Sequence, residues 1–189
     1  MFDVAIIGAG PAGASAGLII AKAGKQTVVF DNGKSMTKRA LVKNYYGLPE
    51  ITGPALVETG KQQLRTMGAE IVEAHVDSIG PIEGGFRIQA GDRPYEARHV
   101  VIATGVALDL AERVGLQTKP GTEPRIKTVL EVAPDGRTAL PGIWAAGTIA
   151  GVSVHVAITA GDGAKVAINL LSELNGERYV DHDVLPAQA

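Results

Sequence analysis

Gly8, Gly10 and Gly13, in the run Gly8-Ala9-Gly10-Pro11-Ala12-Gly13, have the types and spacing to hold a pyrophosphate. A glycine at 8 permits a tight turn, and one at 10 lets backbone N–H groups approach a phosphate with no side chain between. One at 13 lets the following helix lie close on the preceding strand. Pro11 stands where the first residue of a helix belongs, because its missing N–H costs nothing there. Asp31, about 20 residues further on, carries a carboxylate able to accept hydrogen bonds from a ribose diol and to disfavour a 2′-phosphate. This chemistry is dinucleotide binding, and the loop alone leaves NAD and FAD open.

Such residues need a strand, a helix and a second strand in order, and the sequence supplies them. Residues 3–7 form an apolar run that reads as a buried parallel strand. Residues 11–23 read as a helix whose positive dipole end faces the phosphates, and Gly24 ends it. Residues 27–30 are a second strand, closed by Asp31. Residues 32–39 are polar and basic and read as a loop, with Lys34, Lys38 and Arg39 on a solvated face. Asn44-Tyr45-Tyr46-Gly47-Leu48-Pro49 is an aromatic turn. Gly53-Pro54 opens a helix to about Met67, with Leu56, Val57, Leu64 and Met67 on its apolar side.

From 69 to 98 the pattern changes to period two, in pieces at 70–73, 76–79, 86–89 and 95–98. They predict a small antiparallel meander inserted between parallel strands. Residues 99–103 are a further buried strand ending in Thr104-Gly105. A helical turn is expected at 109–114, a strand at 126–132, and a third buried strand at 142–147 running into a glycine loop. The last helix spans about 154–174, with Ala157, Ala160, Ala164, Ala167, Leu171 and Leu174 at helical spacing. Gly161 and Gly163 each cost about 1 kcal/mol inside it relative to alanine. Something therefore approaches its backbone closely, and the sheet is favoured over a ligand. The fold class is α/β: a single Rossmann-like domain over 1–175, a parallel sheet with helices and an inserted antiparallel meander, followed by a polar tail at 176–189 that is frayed from Glu177.

The 189 residues suffice for one substantial domain, and a net charge of −2 with 20% charged residues gives no electrostatic bias toward nucleic acid or an anionic membrane. Neither is expected as a partner. No apolar run reaches the ~18 residues of a membrane span, and the chain enters a strand with no basic-then-apolar leader, so a cytoplasmic location is expected. Cysteine is absent, which removes disulfides, thiolate nucleophiles and cysteine metal sites. His75, His99, His155 and His182 show no metal-ligand spacing, so no metal is expected. All but His155 read as ordinary strand or surface residues.

Three separated stretches decide between NAD and FAD. The Gly8–Gly13 loop with Asp31, the strand ending Ala103-Thr104-Gly105, and Gly142-Ile143-Trp144-Ala145-Ala146-Gly147 together resemble the FAD-binding domain of the two-dinucleotide-binding flavoproteins. Within that group Asn44 to Glu50, Ile51-Thr52-Gly53-Pro54-Ala55-Leu56 and Gly68-Ala69-Glu70-Ile71 resemble the low-molecular-weight thioredoxin reductases. The resemblance implies FAD, with Gly8, Gly10, Pro11, Ala12 and Gly13 along its pyrophosphate and Asp31 at the adenosine ribose, where this family more often has Glu. It implies Asn44 beside the flavin ring, Val76 meeting the adenine through its backbone, Ala103, Thr104 and Gly105 near the pyrophosphate, and Gly147 on the ribityl phosphate side. It also implies a homodimer.

The departures are as informative. Gly147-Thr148 stands where the family has Gly-Asp, so a hydroxyl replaces the carboxylate of the ribityl or pyrophosphate side. The family's Arg-Gln pair falls near Val154-His155-Val156, placing His155 and Val156 at the flavin and suggesting His155 as a proton donor near the N1 edge. The family's NADPH domain, with a second glycine fingerprint and a redox cysteine pair, is missing between Gly105 and Gly142. Dithiol exchange is therefore excluded. The leading expectation is a single-domain FAD-dependent oxidoreductase passing electrons between FAD and a diffusible or protein partner, with NAD(P)H or a protein as donor. The alternative is a non-catalytic FAD-binding subunit of a split reductase needing a separate NAD(P)H-binding chain. An NAD-binding dehydrogenase domain is disfavoured, since the later two motifs would then be coincidence.

Overall fold

The computed structural model describes residues 1–185, so positions 186–189 of the expected tail lie outside the described residues. β1 (Phe2–Ile7) is buried over its last four residues, as a strand covered on both faces should be. It leads through the glycine loop into α1 (Pro11–Lys22) and back to β2 (Thr27–Phe30), which pairs parallel with β1. Two short strands, β3 (Leu41–Val42) and β4 (Ile51–Thr52), pair around the aromatic turn. The Thr52 hydroxyl then caps α2 (Gly53–Thr66) by accepting from Ala55 N–H at 3.4 Å. β5 (Glu70–Val72), β6 (Val76–Ile82), β7 (Gly85–Ala90) and β8 (Arg93–Ile102) follow. After α3 (Asp109–Arg113), a hairpin of β9 (Thr118–Pro120) and β10 (Thr128–Leu130) precedes β11 (Ile143–Ala145) and α4 (Val156–Asn175).

The main sheet is seven-stranded, in the order β5-β2-β1-β8-β7-β6, with β11 also on β8. β8 joins its parallel and antiparallel parts. One edge pairs parallel with β1, while the other pairs antiparallel with β7 over its first half and parallel with β11 over Val100–Ile102. Two expectations are corrected here. The pieces at 95–98 and 99–103 are one continuous strand, because Arg98-His99 contains no turn residue and only the neighbour changes. Residues 70–72 do not belong to the meander; they extend the parallel part of the sheet on β2.

Each face carries its own core. Val4, Ile6, Val29, Val101 and Trp144 meet α1 and α4, whereas Ala5, Ile7, Val28, Val100 and Ile143 meet the meander, α3 and the β9–β10 hairpin. His99 sits in β8 as an ordinary strand residue; burial holds its pKa below the usual 6.5, against the opposing pull of Glu173.

Further local differences have physical causes. Met36–Arg39 forms a 3-10 turn within the expected loop, closed by Ala40 N–H on Thr37 carbonyl. Met67, expected on the apolar side of α2, is exposed, since the helix has already ended at Thr66. The tail after Gly176 is not frayed throughout: Tyr179 N–H donates to the Ser172 hydroxyl at 3.0 Å, and Lys22 pairs with Asp181 and Asp183. Among the described residues no helix is long and apolar enough to cross a membrane.

Gly163 explains one of the two helix-interior glycines, and what approaches it is another helix rather than the sheet. A Cβ there would run into the Ala12 carbonyl of α1, so α4 rests directly on the start of α1. Gly161 has nothing within 4 Å. Gly161→Ala is therefore expected to stabilise the fold by up to about 1 kcal/mol. Gly163→Ala gains the same propensity but meets backbone that cannot yield, and is expected to destabilise by about 1–3 kcal/mol. Urea denaturation of both variants reads the opposite signs; equal signs would contradict the packing described.

Candidate functional site

The C-terminal ends of β1, β2, β8 and β11 lie side by side, and the sequence motifs stand at those ends. Gly8 follows β1 with φ +114°, and a Cβ on it would strike the Ala103 carbonyl at the end of β8. A Cβ on Gly13 would strike the Gly8 carbonyl. Strand, turn and helix thus close on each other with no space for side chains. The register is fixed by Gly8 N–H donating to Phe30 carbonyl at 2.9 Å, Ala103 N–H to Ile7 carbonyl at 2.9 Å, and Ala146 N–H to Ile102 carbonyl at 3.0 Å.

α1 begins with Gly10 as N-cap, Pro11 behind it, no side-chain cap and no acidic residue in the first turn. A helix start of this kind leaves N–H groups and the positive dipole end for an anion. A Cβ on Gly10 would lie 3.2 Å from Ser35 Oγ, so the loop after β2 brings a hydroxyl up to the turn. From the other side Gly147 approaches: a Cβ on it would lie 2.6 Å from Ala12 Cβ. Gly8, Gly10, Pro11, Ala12, Gly13, Ala103, Thr104, Gly105, Gly147 and Thr148 are therefore brought to one edge by four adjacent elements.

Thr148 is buried in a 3-10 turn, Thr148–Ala150. A carboxylate nevertheless reaches this turn from elsewhere. Asp162 of α4, 7% exposed, accepts the Gly147 N–H on Oδ2 at 2.7 Å and pairs through Oδ1 with Lys165 at 2.6 Å. The carboxylate beside Gly147 thus comes from the last helix, with one oxygen on the turn's own N–H and the other on Lys165. The legible signal was its helical register: Asp162 shares a face with Thr159, Val166 and Leu170.

Asp31 stands at the same edge, at the end of β2, with its backbone N–H on Val72 carbonyl at 2.9 Å. It is only 5% exposed. Oδ1 accepts the Gly33 N–H at 2.9 Å, and Oδ2 forms an ion pair with Lys61 Nζ, which also reaches Glu73 Oε1 at 3.2 Å. Burial alone pushes the Asp31 carboxyl up, but the Lys61 ammonium and the Gly33 N–H outweigh it and hold the group below its ordinary 3.8. Burial likewise pushes Lys61 down, and Asp31 and Glu73 hold it above its ordinary value. Lys61, like Asp162, is a member of this site that sequence reasoning missed. Its spacing from Val57 and Leu64 puts it on the buried face of α2, where a cation needs a buried counter-ion.

The other expected site residues stand on other elements. Asn44 is exposed in the loop between β3 and β4. The Val76 side chain is 3% exposed within the core beside Phe30 and Ala90, which leaves only its backbone for a ligand. His155 is exposed as the N-cap of α4, with Nδ1 2.7 Å from Ser153 Oγ, and Val156 is half-buried behind it. Eight residues separate His155 from the Gly163 crossing, roughly 12 Å along the helix. Among the described residues no group of three or more His, Cys, Asp or Glu is placed to hold a metal ion.

Residues 2–126 match the family model described as pyridine nucleotide-disulphide oxidoreductase. A thioredoxin reductase of Peptoclostridium acidaminophilum is 35% identical over 126 residues, 64% of this chain and 40% of that protein. The NADPH-dependent thioredoxin reductase 3 of Arabidopsis thaliana is 33% identical over 111 residues, 54% of this chain and 21% of that protein. The chain thus spans less than half the length of these curated relatives. In fold, a thioredoxin reductase from Gloeobacter violaceus superposes with a TM-score of 0.80 at 18% identity over 98% of this chain and 99% of that one. An oxidoreductase from Agrobacterium tumefaciens gives 0.82 at 17% identity over 93% and 99%. With its family model covering well over half the sequence and a thioredoxin reductase-like α/β fold beneath it, the chain belongs to the pyridine nucleotide-disulphide oxidoreductase family.

Proposed function

We propose that residues 1–175 form a single FAD-binding domain of a flavin-dependent oxidoreductase that passes electrons between FAD and a diffusible or protein partner. Family membership implies a flavin. The observation that carries the finer reading is the convergence of three motifs, Gly8–Gly13, Ala103–Gly105 and Gly147–Thr148, on one sheet edge. The residues present fit the group: an uncapped helix start free of acidic residues faces the turn, and among the described residues only the Ser35 hydroxyl comes within 4 Å of where a Cβ on Gly10 would lie.

When bound, FAD supplies the electron-transfer chemistry, and the protein supplies binding, orientation and electrostatics. The α1 N-terminus would hold the pyrophosphate through backbone N–H groups of the turn. Asp31 would receive the adenosine ribose, and Val76 the adenine through its backbone. Thr148 would offer a hydroxyl on the ribityl side, where the Asp162 carboxylate holds the Gly147 turn in shape. Asn44 and His155-Val156 would border the flavin ring, with His155 able to donate a proton at the N1 edge. Pairing into a homodimer would cover part of that surface.

Anaerobic titration of the FAD-loaded protein with NADH or NADPH tests the reading: bleaching of the visible flavin bands at a catalytic rate is expected. The split-reductase reading starts from the connection between Gly105 and Gly142, where the resemblance places a second domain in the thioredoxin reductases and this chain has only α3 and the β9–β10 hairpin. Bands that persist until a separate NAD(P)H-binding chain is added would support it. His155→Gln is expected to slow flavin reduction about a hundredfold or more while leaving FAD bound, in keeping with the usual size of acid–base assistance. An unchanged rate would remove His155 from the chemistry.

A further inference from the structure

We propose that Lys61 is a positioning residue for the adenosine end of FAD, fixing the Asp31 carboxylate so that Oδ1 is the acceptor left for a ribose hydroxyl. The inference rests on the FAD reading above and specifies how the ribose is recognised.

Asp31 has little freedom. Its backbone is held by the bond to Val72, and Gly33 N–H occupies Oδ1 at 2.9 Å. Oδ2 is enclosed and faces Lys61 Nζ. Each carboxylate oxygen has two lone pairs. Gly33 takes one on Oδ1, and the second is what remains for a ligand.

Lys61 comes from a different layer. α2 packs on α1, with Leu64 Cδ2 against Gly17 and Gly60 beside Ala14, and this seats the Lys61 side chain, 8% exposed, beneath the end of β2. Glu73, the other partner, is 71% exposed and holds Lys61 from the solvent side. Lys38 bonds to the Gly33 carbonyl at 3.0 Å and closes the same turn. A carboxylate buried this far without a cation would neutralise or rotate outward. With Lys61 in place it stays ionised and in one rotamer, the state a ribose hydroxyl can donate to.

FMN, which has no adenosine, separates this role from a general effect on the fold. Quenching of flavin fluorescence gives the affinity for FAD and for FMN in wild type, K61M and K61R, with thermal unfolding followed alongside. K61M is expected to lose at least tenfold in FAD affinity with FMN changed less than twofold, and K61R to recover FAD binding to within about threefold of wild type. Unchanged FAD affinity in folded K61M, or an equal loss for FAD and FMN, would overturn the proposal while leaving the FAD reading intact. Should K61M not be recovered folded, K61Q keeps a donor without the charge; it should still lower FAD affinity selectively, and an unselective effect overturns the proposal. Wild type that binds no FAD would remove the reading underneath it.

Discussion

Gly13→Ala is expected to produce a protein that folds less stably and fails to retain flavin. Two effects oppose each other at this position. Alanine gains about 1 kcal/mol of helix propensity over glycine. Against that, the new Cβ collides with the Gly8 carbonyl and presses on Ile6 Cγ2 at 3.2 Å. Overpacking against a side chain can be relieved by a rotamer change, but a backbone carbonyl inside a strand-turn-helix unit moves only with the turn. Its cost of about 1–3 kcal/mol or more outweighs the propensity gain. The displaced turn is also the one that must present N–H groups to the phosphates, so affinity should fall further than stability. A loss of at least tenfold in FAD affinity corresponds to about 1.4 kcal/mol. Desalting after FAD loading and a urea midpoint measure the two consequences separately. Normal flavin retention in Gly13→Ala would contradict the geometry of the turn.

The Asp31–Lys61 pair should give the largest stability effect of any two side chains at the site. Both are enclosed, with 4% and 8% of their side chains exposed; removing Lys61 leaves the Asp31 charge without its cation, whereas removing Asp31 leaves Lys61 only the exposed Glu73. Lys61→Met alone is expected to cost about 3–5 kcal/mol and Asp31→Asn less, because Lys61 keeps Glu73, and the double variant to recover most of the Lys61→Met loss. Recovery follows because a neutral pair of similar volume no longer pays to desolvate two ions. Denaturant unfolding of the four proteins gives the coupling, and strictly additive losses would show that the two groups do not interact.

The pH dependence has a definite sign. Asp31 titrates lower in the folded protein than its ordinary 3.8, so its contribution is complete above that value. It is lost as pH falls through the lower folded value. Wild type should therefore lose more stability in acid than the D31N/K61M protein.

The first thirty-one residues made much of this legible beforehand. A buried apolar strand, a glycine turn with Pro11 at the helix start, and a second strand closed by Asp31 are local patterns, each set by backbone geometry within a few residues. The same held for α2, where Thr52 caps and Gly53-Pro54 opens the helix. What the sequence could not show is which element lies against which. The strand at 70–72 alternates like the meander beside it, and only the sheet reveals that it pairs with β2. Gly163 announces a close approach without naming α1 as the neighbour. Lys61 and Asp162 are polar side chains on helical faces that look apolar only when the turns are counted, and their partners, Asp31 and the Gly147 N–H, are brought to them by packing. The site's glycines were therefore readable as local geometry, whereas its buried charges depend on contacts between elements distant in sequence.

The most direct test of the FAD assignment is equilibrium dialysis of the wild-type protein against FAD and, separately, against NAD. Retention of one FAD per chain, with NAD bound far more weakly, is the predicted result. Preferential binding of NAD, or no retained flavin from a folded protein, would contradict it.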